Sequence, residues 1–145
     1  MILGHISKEE FLADYWQKKP LLVRNAIANF EPPIDGDELA GLSLEQEVES
    51  RLVIGEDCKL EHGPFAEERF ASLPASHWTL LVQAVDLWVP EVAELLQYFD
   101  FIPPWRIDDI MVSYAEDGGS VGPHFDYYDV FLIQGAGQRK WQIGE

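Results

Sequence analysis

The chain has 145 residues, 47% of them hydrophobic, with five Trp and eight Phe, which suits one domain with a core and excludes a disordered tail. Its formal net charge is −16, which disfavours direct binding to nucleic-acid phosphates and either attracts a basic partner or serves solubility alone. No run reaches the length of a membrane span, residues 1–10 lack a basic region followed by an apolar run, and the single Cys58 has no internal disulfide partner, so a reducing cytoplasm is the expected compartment.

Ser7-Lys8-Glu9-Glu10 reads as a capping box, after which Phe11, Leu12, Tyr15 and Trp16 recur at helical spacing until Pro20 stops the helix. Residues 21–23 read as a short strand, Pro32-Pro33 as a loop and residues 37–42 as a short helix. Residues 51–54 and 59–62 read as two strands around the turn Gly55-Glu56-Asp57. Gly63-Pro64 breaks the chain before a short helix at 65–70. Residues 79–85 fit a buried strand or a buried helix. Pro90 opens a helix carrying Val92, Leu95, Leu96 and Phe99, which Pro103-Pro104 closes.

From Trp105 the pattern changes. Residues 107–114, 130–134 and 139–143 read as strands, separated by the glycine-rich turn at 118–123 and the tight turn Gly135-Ala136-Gly137. The reading is a mainly β, α+β chain: an N-terminal α/β section over 1–104, then the first part of a β-barrel over 105–145. Three or so strands do not close a barrel, so the chain is expected to be part of a longer protein.

Gly122-Pro123-His124-Phe125-Asp126 carries the chemistry. In an extended strand, residues i and i+2 project to one face. An imidazole and a carboxylate would then occupy adjacent corners of a metal's octahedron, two members of a two-histidine, one-carboxylate triad that leaves positions open on non-haem Fe(II). His-x-Asp by itself is short and common, and is more often a hydrogen-bonded pair than a metal site. Its setting between a glycine turn and a following strand sharpens it.

The runs 105–114 (WRIDDIMVSY), 118–126 (GGSVGPHFD) and 128–135 (YDVFLIQG) resemble the cupin-like JmjC-domain ribosomal oxygenases. Earlier segments share the resemblance: 16–20 (WQKKP), 37–42 (DELAGL), 49–53 (ESRLV), 62–65 (HGPF) and 80–85 (LLVQAV). Within that family the bacterial type that hydroxylates an arginine of a large-subunit ribosomal protein is the nearest likeness. The resemblance implies a double-stranded β-helix, Fe(II) held by His124 and Asp126, and 2-oxoglutarate as cosubstrate. It implies a basic anchor for the cosubstrate's distal carboxylate, matched by Arg139, whose planar fork suits a carboxylate. Lys140, on the opposite strand face, is the competing anchor. Ser113 matches a hydroxyl position beside the cosubstrate, and is equally an ordinary strand serine.

The family's third ligand is a histidine on a later barrel strand. No residue here matches it, since His5, His62 and His77 all lie upstream. The implied reaction is oxidative decarboxylation of 2-oxoglutarate coupled to C–H hydroxylation, and no protein group is assigned as general base. Asp117 and Tyr127, with Glu116 and Tyr128, flank the ligand turn and are the candidate contacts to a substrate arginine. The implied partner is a basic large-subunit ribosomal protein, with no direct nucleic acid and no membrane, and the full-length protein is expected to be a homodimer. Three alternatives remain: a metal-binding cupin without 2-oxoglutarate chemistry, an inactive fragment or binding module, and hydroxylation of histidine or demethylation of methyl-lysine in place of arginine hydroxylation.

Overall fold

A computed structural model describes residues 2–144. They fall into two units, Met1–Pro32 with Asp126–Glu145, and Pro33–Phe125.

In the first unit, Ser7 begins a helical turn, α1 (Lys8–Glu10), and its hydroxyl accepts from the Glu10 N–H at 3.0 Å. The helix continues as a π-turn over Phe11–Tyr15. It ends before Pro20, because Gln17 adopts φ +59°, a left-handed conformation that cannot propagate a right-handed helix. Phe11 and Leu3 are buried in this unit, and Phe11 gathers its aromatic rings. Its ring lies 6.0 Å from that of Phe131, which in turn stacks on Trp16 at 5.8 Å. Gln17 Nε2 donates to Asp129 at 3.0 Å. The strands expected at 21–23, 130–134 and 139–143 do not form. A strand needs a neighbour to take up its backbone N–H and C=O groups, and no ladder includes these runs among the described residues. Val130, Leu132 and Ile143 are exposed accordingly.

The second unit is built on a sheet. Asp35 caps α2 (Gly36–Leu42) with a complete capping box, its carboxylate accepting from Glu38 N–H at 2.8 Å and Glu38 accepting from Asp35 N–H. Asp35→Ala should cost about 1 kcal/mol, read as a lower urea midpoint with unchanged slope. The next strands, β1 (Ser50–Ile54) and β2 (Lys59–His62), pair antiparallel around the predicted turn. Helix α3 (Glu67–Ala71) follows, then β3 (Trp78–Val82), the short helix α4 (Pro90–Ala93) with a 3₁₀ continuation over Glu94–Phe99, and β4 (Val112–Ala115). The sheet order is β2-β1-β3-β4, antiparallel throughout.

Residues 79–85 resolve as strand only as far as Val82. Ala84 takes φ +51°, and its N–H donates to the Asp109 carboxylate at 2.8 Å. Opposite it, Ile110 N–H donates to Asp86 at 2.9 Å and Ile110 C=O accepts from Val85 N–H. These exchanges between residues 84–86 and 109–110 divert backbone groups from the ladder, so the strand expected over 107–114 shortens to Val112–Ala115.

One sheet face carries the core. Leu52 and Leu80, cross-strand partners, pack with Val82, Leu39, Val48, Val85 and Val92, all nearly inaccessible to solvent. Arg69 of α3 forks onto Glu61 of β2 through bonds of 3.0 and 2.7 Å, and that bond holds the Glu61 carboxyl below its usual range. A depressed carboxyl contributes stability above its unfolded value and loses it as pH falls through the folded one. Glu61→Gln should therefore flatten part of the acid-side loss, by under about 1 kcal/mol at this surface site, in urea melts taken from pH 7 down to 3.

Candidate metal centre

The sheet face opposite the core bears the cross-strand row His62, Arg51, Leu81 and Ser113. Ser113 is exposed on it. Arg51 reaches across this face: Nη2 donates to Gln83 Oε1 at 3.0 Å, and Gln83 Nε2 donates to Asp109 at 3.0 Å. This relay braces the entry to β4.

Beyond β4, Tyr114 O–H donates to Glu116 at 2.8 Å. That bond, then burial and the carboxylate's charge, hold the phenol above its usual range. The Asp117 carbonyl accepts from His77 N–H at 2.8 Å, while the residue itself is exposed. Gly122 N–H donates to Ser120 Oγ at 3.0 Å, and Gly122 has φ +77°.

His124 Nδ1 lies 2.9 Å from the Gly122 carbonyl. A carbonyl only accepts, so Nδ1 carries the proton and the neutral ring's lone pair sits on Nε2. Metal-binding histidines are oriented in this way, with one nitrogen donating to a backbone carbonyl and the other turned to the metal. An imidazole so oriented is a donor of the kind that suits ferrous iron. Sequence reasoning missed the Gly122 carbonyl; a glycine two residues before a candidate ligand is its only trace in the sequence.

The strand expected through His124 and Asp126 is not formed. Pro123 has no N–H to offer a ladder and Gly122 has turned out of extended geometry. His124 lies at the end of one unit and Asp126 opens the other, both exposed. No three His, Cys, Asp or Glu side chains are grouped to hold a metal among the described residues. Arg139 and Trp141 sit together, with the guanidinium carbon 5.8 Å from the indole centroid. Arg139 is half-buried, whereas Lys140 is exposed. Tyr127 is 94% exposed.

Residues 94–145 match the JmjC domain family. The chain is 50% identical over 138 residues to the ribosomal protein uL16 3-hydroxylase of Escherichia coli, covering 94% of this chain and 36% of that protein. It is 46% identical over 144 residues to a probable ribosomal oxygenase of Haemophilus influenzae, covering 97% and 35%. The structure of the E. coli ribosomal oxygenase YcfD in complex with cobalt and 2-oxoglutarate is similar at TM-score 0.78 and 45% identity, covering 85% of this chain and 34% of that one. The chain thus spans about a third of the length of these relatives. No helix among the described residues is long and apolar enough to cross a membrane. By sequence and by fold, the chain is similar, over nearly its whole length, to part of the bacterial ribosomal oxygenases, and its residues 94–145 match the JmjC domain family.

Proposed function

We propose that this chain forms part of an Fe(II)- and 2-oxoglutarate-dependent hydroxylase that acts on an arginine of a large-subunit ribosomal protein. The observation that carries the reading is the 50% identity to the uL16 3-hydroxylase over almost the entire chain. In this reading His124 and Asp126 are two of the iron ligands and Arg139 pairs the far carboxylate of the keto acid. The half-burial of Arg139 beside Trp141 favours it over the exposed Lys140, since a partly desolvated guanidinium binds a carboxylate more strongly. Ser113 supplies an exposed hydroxyl on the sheet face opposite the core. Asp117 and Tyr127 are the substrate contacts, and a net charge of −16 suits a basic partner.

The same reading places the start of the barrel at Trp105, inside the JmjC match that begins at residue 94. It makes the full-length protein a cytoplasmic homodimer that binds neither nucleic acid nor membrane directly. Bound ferrous iron would supply dioxygen activation coupled to oxidation of the keto acid. The chain's own part is narrower. His124 and Asp126 donate to the metal, Gly122 holds the His124 tautomer, and Arg139 orients the cosubstrate.

The test incubates full-length protein with ferrous iron, 2-oxoglutarate, O₂ and large-subunit ribosomal protein. The expected product is a peptide heavier by one oxygen, localised to an arginine, with succinate formed in equal amount. Oxygen on a histidine, or loss of a lysine methyl group, would overturn the arginine assignment. Arg139→Ala should raise the 2-oxoglutarate requirement at least about tenfold, as expected for loss of a charge-assisted bidentate pair, while iron affinity is retained. Unchanged cosubstrate affinity would transfer the role to Lys140 or point to a cupin without this cosubstrate.

A further inference from the structure

His77 immediately precedes β3 and holds φ +62°, a conformation that side chains with a Cβ disfavour. Both of its backbone polar groups are committed over long range. Its N–H donates to the Asp117 carbonyl at 2.8 Å, and its carbonyl accepts from Gly55 N–H at 2.6 Å. One residue on, the Trp78 carbonyl accepts from Glu116 N–H at 3.1 Å. The turn after β4 is therefore tied to the start of β3 by two backbone bonds.

The side chain lies against the same clamp. Nδ1 of His77 is 2.7 Å from Ser76 Oγ, and the ring lies flush on Gly118, where a Cβ would come within 2.5 Å of Nε2. Gly119 is pressed as closely: a Cβ there would meet the Trp78 carbonyl at 2.4 Å. Gly119 is thus required by close approach to the β3 backbone, and Gly118 by its left-handed φ of +76° beside the His77 ring. From this docked turn the chain reaches His124 in five residues. It is held on the way by Gly122 N–H on Ser120 Oγ and by Gly122 C=O on the His124 ring.

We propose that His77 is a positioning residue for His124. By holding the Asp117 carbonyl with a backbone N–H fixed in the left-handed conformation, it sets the direction in which the chain leaves the sheet for the metal ligand. The inference rests on the reading of His124 as an iron ligand.

The test measures anaerobic binding of ferrous iron, alone and with 2-oxoglutarate, to the full-length protein, together with the melting temperature. Asn tolerates the left-handed conformation and Val does not. His77→Asn should bind iron within about threefold of wild type, whereas His77→Val should lose about tenfold or more, the range seen when a ligand's supporting partner is removed. Gly118→Ala, which forces a Cβ into a left-handed position of the docked turn (φ +76°), should weaken binding in the same direction. Asp35→Ala, a destabilised variant remote in sequence from the clamp, should keep wild-type iron affinity, which separates positioning from general loss of stability. Iron affinity within twofold of wild type in both His77→Val and Gly118→Ala would overturn the proposal, as would His77→Asn binding as weakly as His77→Val. Should His77→Val not fold, the comparison of Gly118→Ala with His77→Asn decides. Absence of iron binding by the wild-type protein would instead refute the ligand reading.

Discussion

Replacing His124 with alanine in the full-length protein is expected to abolish stoichiometric iron binding and to lower turnover by at least about a hundredfold, since losing even an outer partner of a metal ligand costs 10–100-fold. Gly122 cannot compensate: its carbonyl holds the Nδ1 proton of His124 at 2.9 Å but offers the metal no imidazole. Asp126→Ala should behave alike, because a carboxylate supplies both a donor and the charge that offsets Fe(II). His62→Ala provides the contrast. His62 is exposed at the end of β2, so iron content should not change. Equal loss of iron in His62→Ala and His124→Ala would indicate general unfolding, and retained iron in His124→Ala would remove that residue from the ligand set. Circular dichroism of each variant separates these outcomes.

The second large effect concerns stability. Leu80 lies on β3, second from one edge of the four-stranded order, and is 1% exposed against Leu52, Val82 and Val92. Leu80→Ala removes buried carbons and leaves a void that close-packed neighbours fill only in part, at a cost of about 3 kcal/mol. Against a total stability of roughly 5–15 kcal/mol for a domain, that is a large share. Leu60→Ala, at a leucine 49% exposed on β2, should cost about 0.5 kcal/mol or less. Urea unfolding monitored by tryptophan fluorescence measures both. Comparable losses at the two positions would mean that the Leu52–Leu80 face is not the core.

Which parts of the fold could be read from the sequence follows from the range of the interactions. The hairpin of Ser50–Ile54 with Lys59–His62 was legible because its turn residues and flanking β-formers lie within a dozen positions. The helix Gly36–Leu42 was legible from local composition, although the Asp35 cap places its start one residue before the expected 37. The runs 130–134 and 139–143 have strand-forming side chains, but strand formation depends on a partner that no local pattern reveals. The early end of β3 at Val82 turns on the bond from Ala84 N–H to Asp109, 25 residues further along the chain than Ala84. The same held for the site. His124 and Asp126 are visible as residue types at a spacing, and the family resemblance rests on the runs around them. The Gly122 carbonyl that sets the imidazole tautomer and the His77 contact with Gly118 are matters of backbone direction, which residue identity records only as glycines.

The proposed function requires that His124 and Asp126 bind one and the same metal ion. It is tested most directly by a crystal structure of the full-length protein grown with cobalt(II) and 2-oxoglutarate, with anomalous data collected at the cobalt edge. The expected result is a single strong peak within bonding distance of both His124 Nε2 and an Asp126 carboxylate oxygen, with Nδ1 still on the Gly122 carbonyl. A fully occupied cobalt site touching neither side chain, or bound through Nδ1 of His124, would contradict it.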